Sequence, residues 1–302
     1  MSQKRYTVAC LAGHGIGPEV MAQACRVVDA ASRLHGFVVD GQHVPFAAEA
    51  LMRFGHPFPP SSRRAVLEAA AVLVPSRGPE LLEALEDELD VCASVERVRF
   101  PEGTELTVLA PLRDDAWDWT LERAFALARD SRARVAFVGL DTRRSEVASH
   151  VEARHDGLEV EHLALGDAVY ALVFAPERFD VVVCSPEHAH NSAEVAACLS
   201  NGRVVAWGRL AAEGPSVFGP AHGTAHDIAG QDVADPRSML LAAALMLGEG
   251  LGERAAAATV SSAVARAART EARPSTTGFG DVVLSQLPLA LANSEFYPRV
   301  AV

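Results

Sequence analysis

The segment LAGHGIGPEV, Leu11 to Val20, leads from the end of an apolar run through three glycines into a helical pattern. Gly13, Gly15 and Gly17 allow a tight turn and a close approach of another backbone, and Pro18 suits a first helical turn. Amides at a helix N-terminus can also bind an anion. The spacing is G-x-G-x-G, so the usual dinucleotide fingerprint G-x-G-x-x-G is not met. The segment predicts a strand, a turn and a helix, and leaves open whether the turn binds a ligand or is structural.

Short apolar runs alternate with longer stretches of helical period along the rest of the chain, which is typical of a mainly parallel sheet covered by helices. We predict strands at Thr7–Ala12, Phe37–Val44, Ala71–Pro75, Thr107–Pro111, Arg134–Gly139, Glu159–Leu165, Asp180–Cys184 and Arg203–Ala206. We predict helices at Pro18–Leu34, Pro79–Leu85, Asp115–Arg129, Arg144–Arg154, Ser192–Leu199, Pro236–Leu247 and Glu253–Ala268. The Gly, Pro and His-rich stretch GPSVFGPAHGTAHDIAG, 214–230, is predicted as a long loop and is the first candidate for a ligand site.

Composition and charge exclude several classes of protein. The chain has 302 residues, 49% hydrophobic and 22% charged, as expected of a globular protein of about two domains. A formal charge of -12 argues against nucleic acid and anionic membrane surfaces as partners. Five cysteines within apolar runs indicate reduced thiols, and no apolar segment is long enough to span a membrane, so we expect a cytoplasmic protein. Lysine occurs once, at Lys4.

A second cluster, HGTAHDIAGQDVADP, spans His222 to Pro236. Together with LAGHGIGPEV, with RFDVVV at Arg178–Val183 and with TGFGDVV at Thr277–Val283, it resembles the isopropylmalate/isocitrate dehydrogenase family, the β-decarboxylating dehydrogenases. The resemblance implies an α/β fold of two domains that share one large mixed, twisted sheet with helices on both faces. It implies a homodimer with the active site in the interdomain cleft. Residues 1–100 plus 201–302 would form the larger, nucleotide-binding domain, and 101–200 the smaller dimerisation and substrate domain.

The resemblance also implies a nucleotide loop. Its candidate cofactor-binding residues are Gly15, His222, Gly223, Thr224, Ala225, Asp227 and Asp235. Asp227 stands where family members that use NAD place an acidic residue on the adenosine ribose, and a carboxylate there would repel the 2′-phosphate of NADP. The usual asparagine is Asp235 and the usual proline is His226. NAD is therefore the expected cofactor, and a retained structural loop is the alternative.

The catalytic residues of the family are largely replaced. Two arginine positions that clamp the malate carboxylates carry Glu86 and Glu96, and Arg113 falls close to the third. The segment that follows in the family, with its catalytic tyrosine and the arm that clasps the partner subunit, is missing here. Leu140 takes the place of the general-base lysine, and Asp141 is the acid beside it. Arg113 and Asp141 are the candidate catalytic residues, with a solvated arginine and a helix-start carboxylate as the alternatives.

The metal site that the resemblance implies is altered. The family holds Mg²⁺ or Mn²⁺ with three aspartates, of which the first matches Asp167. The other two positions become His190 and Glu194, four residues apart and so on one face of a helix. Oxygen ligands suit Mg²⁺, whereas imidazole with carboxylates suits Zn²⁺, Fe²⁺ or Mn²⁺. We expect a divalent metal on Asp167, His190 and Glu194, with drifted surface residues as the alternative.

Three hypotheses of function remain open. The first is a divergent NAD-dependent oxidoreductase that acts on a small 2-hydroxy acid or related substrate, other than ordinary isopropylmalate. The second is a catalytically inactive or re-purposed family member that binds a ligand or a partner subunit. The third is a metal-dependent enzyme without nucleotide. NAD binding with turnover separates the first from the second, and the identity of the metal separates the first from the third.

Overall fold

A computed structural model of the chain describes residues 3–11, 13–77, 85, 89–101, 103–199, 202–269 and 275–296. The chain forms two compact units. Unit 1 consists of Met1–Asp90 and Glu213–Val302, and unit 2 of Val91–Ala212. The domain boundaries expected from the sequence, at 100 and 201, would instead assign the strands at Val91–Arg99 and Arg203–Ala211 to the first unit. These two strands pair with each other in unit 2.

The described part of unit 1 contains four parallel strands. They are β1 (Arg5–Cys10), β2 (Val38–His43), β3 (Ala71–Leu73) and β10 (Ser216–Pro220), in the order β2-β1-β3-β10. The central strand β3 and its neighbour β10 are buried along their whole length, whereas β2 at the edge is exposed and carries Asp40, Gln42 and His43. This is the distribution expected of a parallel sheet that is covered on both faces and has a polar edge.

Six helices pack in unit 1 among the described residues. They are α1 (Gly17–Leu34), α2 (Ala47–Phe54), α3 (Pro60–Leu67), α8 (Arg237–Leu245), α9 (Arg254–Ala267) and α10 (Thr276–Phe296). Helix α1 buries Val20, Ala24, Val27 and Ala31, a three-to-four-residue spacing that places them on one face. Helix α8 is buried on all sides from Met239 to Leu245. The α8 helix is therefore the core of this unit, and α1 covers it as an amphipathic layer.

Unit 2 contains a mixed sheet within the described residues. Its strands are β4 (Val91–Arg99), β5 (Glu105–Pro111), β6 (Arg134–Val138), β7 (Glu159–Leu163), β8 (Val181–Cys184) and β9 (Arg203–Ala211). The order is β9-β4-β5-β8-β6-β7. Strand β4 is antiparallel to both of its neighbours, and the strands from β5 to β7 are parallel. The helices are α4 (Trp117–Arg129), α5 (Thr142–Glu152), α6 (Leu165–Phe174) and α7 (Pro186–Leu199).

The observed elements confirm the predicted α/β class and differ from the prediction at particular places. Residues 214–230 are not one long loop, because Ser216–Pro220 forms the buried strand β10. Strand β4 was missed because Glu96, Arg97 and Arg99 interrupt its apolar pattern. The helix predicted at Pro79–Leu85 lies, apart from Leu85, outside the described residues. None of the described helices is long and apolar enough to cross a membrane.

Candidate functional site

The glycine turn after β1 is packed directly against the backbone of the second motif. Gly13 and Gly15 adopt φ angles of 62° and 64°, in the left-handed region. A Cβ atom on Gly15 would lie 2.0 Å from the carbonyl oxygen of Thr224. The amide of Ile16 donates to that same oxygen at 2.9 Å. Glycine is therefore required at position 15 for the glycine turn to contact the segment at Thr224. This contact holds the start of the loop that runs from His222 onward in place.

Two histidines extend this contact. The rings of His14 and His226 stack with centroids 4.9 Å apart and an interplanar angle of 11°. The Nδ1 atom of His226 also lies 3.3 Å from the hydroxyl of Thr224. Ala225, between Thr224 and His226, has a φ of 38°. A non-glycine residue holds this left-handed conformation only where its surroundings impose it. His226 thus stabilises the loop by stacking at the position where the family usually has a proline.

His222 presents an unused hydrogen-bonding atom. Its Nδ1 lies 3.0 Å from the carbonyl oxygen of Gly223, so Nδ1 carries the proton and Nε2 is the acceptor. Nε2 is buried and has no hydrogen-bond partner among the described residues. A Cβ atom built on Gly223 would meet nothing within 4 Å. The loop therefore combines an unsatisfied acceptor with open space beside its backbone.

The two candidate aspartates of the loop differ in how they are bonded. Asp227 lies in a 3₁₀ turn at His226–Ile228 and is exposed, and its main-chain oxygen accepts from the side chain of Gln231 at 2.8 Å. Asp235 accepts from the amide of Arg237 at 3.0 Å and from its guanidinium through both carboxylate oxygens. The Asp235 carboxylate raises the pKa of Arg237. Both side chains are exposed, but the Asp235 carboxylate is neutralised locally by Arg237, whereas no hydrogen bond to the Asp227 carboxylate is found among the described residues.

Asp232 connects the loop to the C-terminal motif. Its Oδ1 accepts from both the amide and the hydroxyl of Thr277, each at 2.8 Å. The hydroxyl of Ser275, together with these two donors, lowers the pKa of Asp232. The amide of Asp232 in turn donates to Glu19 Oε2 at 3.3 Å. The three sequence motifs of unit 1 therefore meet at one loop.

In unit 2, both candidate catalytic residues are engaged in local structure. Nε of Arg113 donates to Asp115 Oδ1 at 3.2 Å, and its Nη2 lies 3.5 Å from Cys92 Sγ. Asp141 is the N-cap of α5, because its Oδ1 accepts from the amide of Arg144 at 2.8 Å. A carboxylate in this role stabilises the helix start. Arg113 and Asp141 remain exposed enough to meet solvent, and their roles in catalysis stay predictions.

The predicted metal ligands are not brought together in this chain. Asp167 lies exposed in the first turn of α6, whereas His190 and Glu194 lie exposed on α7. No three histidine, cysteine, aspartate or glutamate side chains among the described residues form a group that could hold a metal ion. Within one chain, Asp167 therefore starts from a different helix than His190 and Glu194 and the three form no group, and their role as metal ligands stays a prediction.

Glu96 has a partner that its place in the sequence did not reveal. It lies on β4 with 1% of its surface exposed, and its Oε1 is 3.8 Å from Nδ1 of His190. The adjacent Arg97 and Arg99 point to the other face of β4 and bind Glu105 at 3.0 and 3.5 Å. They do not replace the missing arginine clamp. Glu86 lies outside the described residues.

Comparisons with known proteins agree with this structure. Residues 7–90 and 103–284 match the family described as isocitrate/isopropylmalate dehydrogenase. The chain is 29% identical to the 3-isopropylmalate dehydrogenase of Vibrio cholerae over 338 residues, covering 88% of this chain and 91% of that protein. It is 30% identical to that of Salinibacter ruber over 313 residues, covering 85% and 86%.

Two solved structures share the fold. The apo β-decarboxylating dehydrogenase of Thermococcus kodakarensis matches with a TM-score of 0.81 at 20% identity, over 96% of this chain and 98% of that one. The isocitrate dehydrogenase of Methylococcus capsulatus matches with a TM-score of 0.71 at 18% identity, over 93% and 99%. Fold and motifs together define an α/β protein of the dehydrogenase class. The chain belongs to the isocitrate/isopropylmalate dehydrogenase family, which confirms the resemblance found in its motifs.

Proposed function

We propose that this protein is an NAD-dependent oxidoreductase that acts on a small 2-hydroxy acid or a related substrate other than isopropylmalate. The observation that supports it is the exposed carboxylate of Asp227 on a loop held from two sides. Thr224 binds the glycine turn, and Asp232 binds the start of α10. Such a loop is expected to hold its shape before a ligand arrives, which reduces the entropy lost on binding.

The residues of this loop fit the adenosine half of NAD. Two ribose hydroxyls can donate to the Asp227 carboxylate, which would repel an added 2′-phosphate. The open space at Gly223 leaves room for a close approach of the ligand to the backbone of the loop. Asp235 contributes less, because Arg237 already occupies both of its oxygens. Bound NAD would accept a hydride from the carbinol carbon of the substrate.

The substrate is inferred from the charged groups of unit 2. Arg113 is the candidate carboxylate binder, and one guanidinium binds one carboxylate in bidentate fashion. Glu96 stands at a position where the motif resemblance places a carboxylate-binding arginine, so a carboxyl group replaces a cation there. A substrate with a single carboxylate, or with an amine, suits this arrangement better than a dicarboxylate. Lysine is not the base, because Lys4 binds Glu253 at 3.2 Å and no other lysine exists in the chain.

The proposal keeps a divalent metal as a prediction, with Asp167, His190 and Glu194 as its candidate ligands, which lie on two helices within one chain. A homodimer is part of it. Helix α6 leaves four large apolar side chains exposed, Leu165, Val169, Tyr170 and Phe174, and exposed apolar clusters mark sites of protein–protein contact. A second copy of the chain is the partner we propose for that surface.

The proposal is tested by calorimetric titration of the purified protein with NAD, NADH and NADP. We expect NAD to bind more tightly than NADP. Asp227→Asn should weaken NAD binding about tenfold, since a hydrogen bond to a charged group contributes about 1.5 kcal/mol or more. Asp235→Asn is the matched control, and its affinity for NAD should stay within about threefold of the wild type because the Asp235 carboxylate is already bound to Arg237. NADH formation is then followed with a panel of 2-hydroxy mono-acids and amino acids.

A second candidate is a non-catalytic member that binds a ligand or a partner subunit. It is favoured by the local engagement of Asp141 as a helix cap and by the separation of the predicted metal ligands. NAD binding without NADH formation on any substrate of the panel would favour this candidate. Absence of NAD binding by the wild-type chain would contradict the assignment of the loop itself.

A further inference from the structure

Two cysteines of unit 1 lie side by side at a place that the proposed function does not use. Cys10 is the last residue of β1 and Cys25 lies in the middle of α1. Their Sγ atoms are 3.7 Å apart. Cys10 is buried and Cys25 is partly exposed. The two thiols are therefore in contact, although 15 residues separate them in the sequence.

A cavity of about 230 Å³ opens beside these sulfur atoms. It is lined by both thiols and by the apolar side chains of Val8, Val39 and Leu73, with Asp29 as its charged member. A water molecule in the liquid takes up about 30 Å³, so the cavity is large enough to admit a molecule of the size of hydrogen peroxide. The thiols thus have both room to change rotamer and a space through which a small reagent can reach them.

The two thiols differ in acidity in a way that suits a nucleophile and its partner. A hydrogen bond from the S–H of Cys10 lowers the pKa of Cys25. The same hydrogen bond, together with burial, raises the pKa of Cys10. The more exposed sulfur is therefore the more acidic of the two. The thiolate is the reactive form of cysteine, so Cys25 is the site of first attack.

We propose that Cys10 and Cys25 form a reversible disulfide site that is oxidised by a small hydroperoxide. The Cys25 thiolate attacks one oxygen of the peroxide, the O–O bond breaks, and the departing hydroxide is protonated to water. This leaves a sulfenic acid on Cys25. The sulfur of Cys10 then attacks the Cys25 sulfur, the S–O bond breaks, and the hydroxide leaves as water with the Cys10 proton. Two thiols lose two electrons in total and the peroxide is reduced to water.

The movement that this reaction needs is small. A disulfide has a sulfur–sulfur distance of about 2.05 Å, so the two atoms must approach by about 1.7 Å. The bond would close residues 10–25 into a loop that contains the whole glycine turn. Gly15 of that turn is in contact with Thr224. Oxidation would therefore fix the turn on which the loop from His222 onward rests.

The test uses the tryptic peptide Tyr6–Arg26, which contains both cysteines because no lysine or arginine lies between Arg5 and Arg26. The purified full-length chain is treated with hydrogen peroxide, desalted, denatured and alkylated. We expect the peptide from reduced protein to take up two alkyl groups and the peptide from oxidised protein to take up none, with a mass about 2 Da lower before alkylation. Dithiothreitol should restore both alkylation sites. Cleavage after Glu19 should yield two fragments joined by a disulfide.

A control variant separates oxidation of the pair Cys10 and Cys25 from oxidation of an exposed thiol elsewhere in the chain. Cys198 is exposed and competes for peroxide, so the experiment is repeated in Cys198→Ser, in which four of the five thiols remain. We expect the number of free thiols to fall from four to two. Cys10→Ala in this background should form no disulfide, and the sulfenic acid on Cys25, with no thiol to resolve it, should proceed to the irreversible sulfinic acid at higher peroxide doses. The peptide analysis of the wild-type chain tests the proposal even if the Cys10→Ala variant does not fold.

Three results would overturn the proposal. One is a Tyr6–Arg26 peptide that still takes up two alkyl groups at peroxide doses that oxidise Cys198. Another is a Cys25 that proceeds to sulfinic acid while Cys10 remains alkylated. The third is a disulfide that joins either cysteine to Cys92, Cys184 or Cys198 instead.

Discussion

Gly15→Ala tests the contact on which the candidate nucleotide site is built. An alanine at a φ of 64° costs about 1 kcal/mol through backbone strain alone. Its Cβ would lie 2.0 Å from the carbonyl oxygen of Thr224, so the two segments must separate by more than about 1 Å, at a further 1–3 kcal/mol for overpacking. The hydrogen bond from Ile16 to that oxygen would be lost, at about 1 kcal/mol. We expect the free energy of unfolding to fall by about 4 kcal/mol in total.

Gly36→Ala is the matched control for this prediction. Gly36 has a φ of 78°, and a Cβ there would meet nothing within 4 Å. The control should therefore lose only the strain, about 1 kcal/mol. Urea denaturation of both variants, with NAD titration of Gly15→Ala, measures the difference. If the two variants lose stability within about 0.5 kcal/mol of each other, the close approach between Gly15 and Thr224 does not exist in solution.

Three further predictions follow from other contacts. Asp180→Asn should cost about 3 kcal/mol in urea denaturation, because its buried carboxylate accepts from the amide and from the Nε of Arg132, each at 2.7 Å. Glu159→Gln, in the exposed ion pair with Arg134, should cost less than about 1 kcal/mol. Asp232→Asn should destabilise the protein at neutral pH. The folded pKa of Asp232 is lowered, so the stability that Asp232 contributes is present above its unfolded pKa of about 3.9 and is lost as the pH falls through the folded pKa. The unfolding free energies of the wild type and the variant should therefore converge in acid. A difference that stays constant with pH would contradict the role of Asp232. Phe174→Glu, at a side chain on α6 that is 68% exposed, should convert the dimer to a monomer in sedimentation velocity, and a monomeric wild-type chain would refute the proposed interface.

Much of the fold could be predicted because its elements have strong local patterns. Helix α1 begins within one residue of the expected Pro18 and ends at Leu34, since glycine and proline mark its start and its apolar spacing continues without a break. Strand β10 could not be found in the same way. Its residues Ser216–Pro220 stand between glycines and prolines that are typical of loops, and the strand forms because β3 lies beside it in the buried sheet. Long-range pairing, rather than local preference, decides that strand.

In the candidate site too, residues held by local contacts could be predicted from the sequence, and residues held by long-range contacts could not. Asp227 and the glycine turn could be assigned from motifs because the contacts that hold them lie within those motifs or between them. The surroundings of Glu96 could not be predicted, because its neighbour His190 is 94 residues further along the chain. The two residues come together only because α7 packs against β4. The capping role of Asp141 could be predicted because it depends on a contact only three residues along the chain, the hydrogen bond from the amide of Arg144.

The two units differ in what their candidate site residues bind. In unit 1, the polar side chains around the loop bind one another so that Asp227 is left exposed, and substitutions such as His226 have gained contacts, here the stack on His14. In unit 2, Arg97 and Arg99 bind Glu105, Asp141 caps a helix, and a carboxylate is buried at Glu96. If NAD binds and Asp227→Asn weakens it while no dicarboxylate is turned over, the loss of function is confined to the substrate side, and the search for the substrate should concentrate on molecules with one carboxylate or with a positive charge.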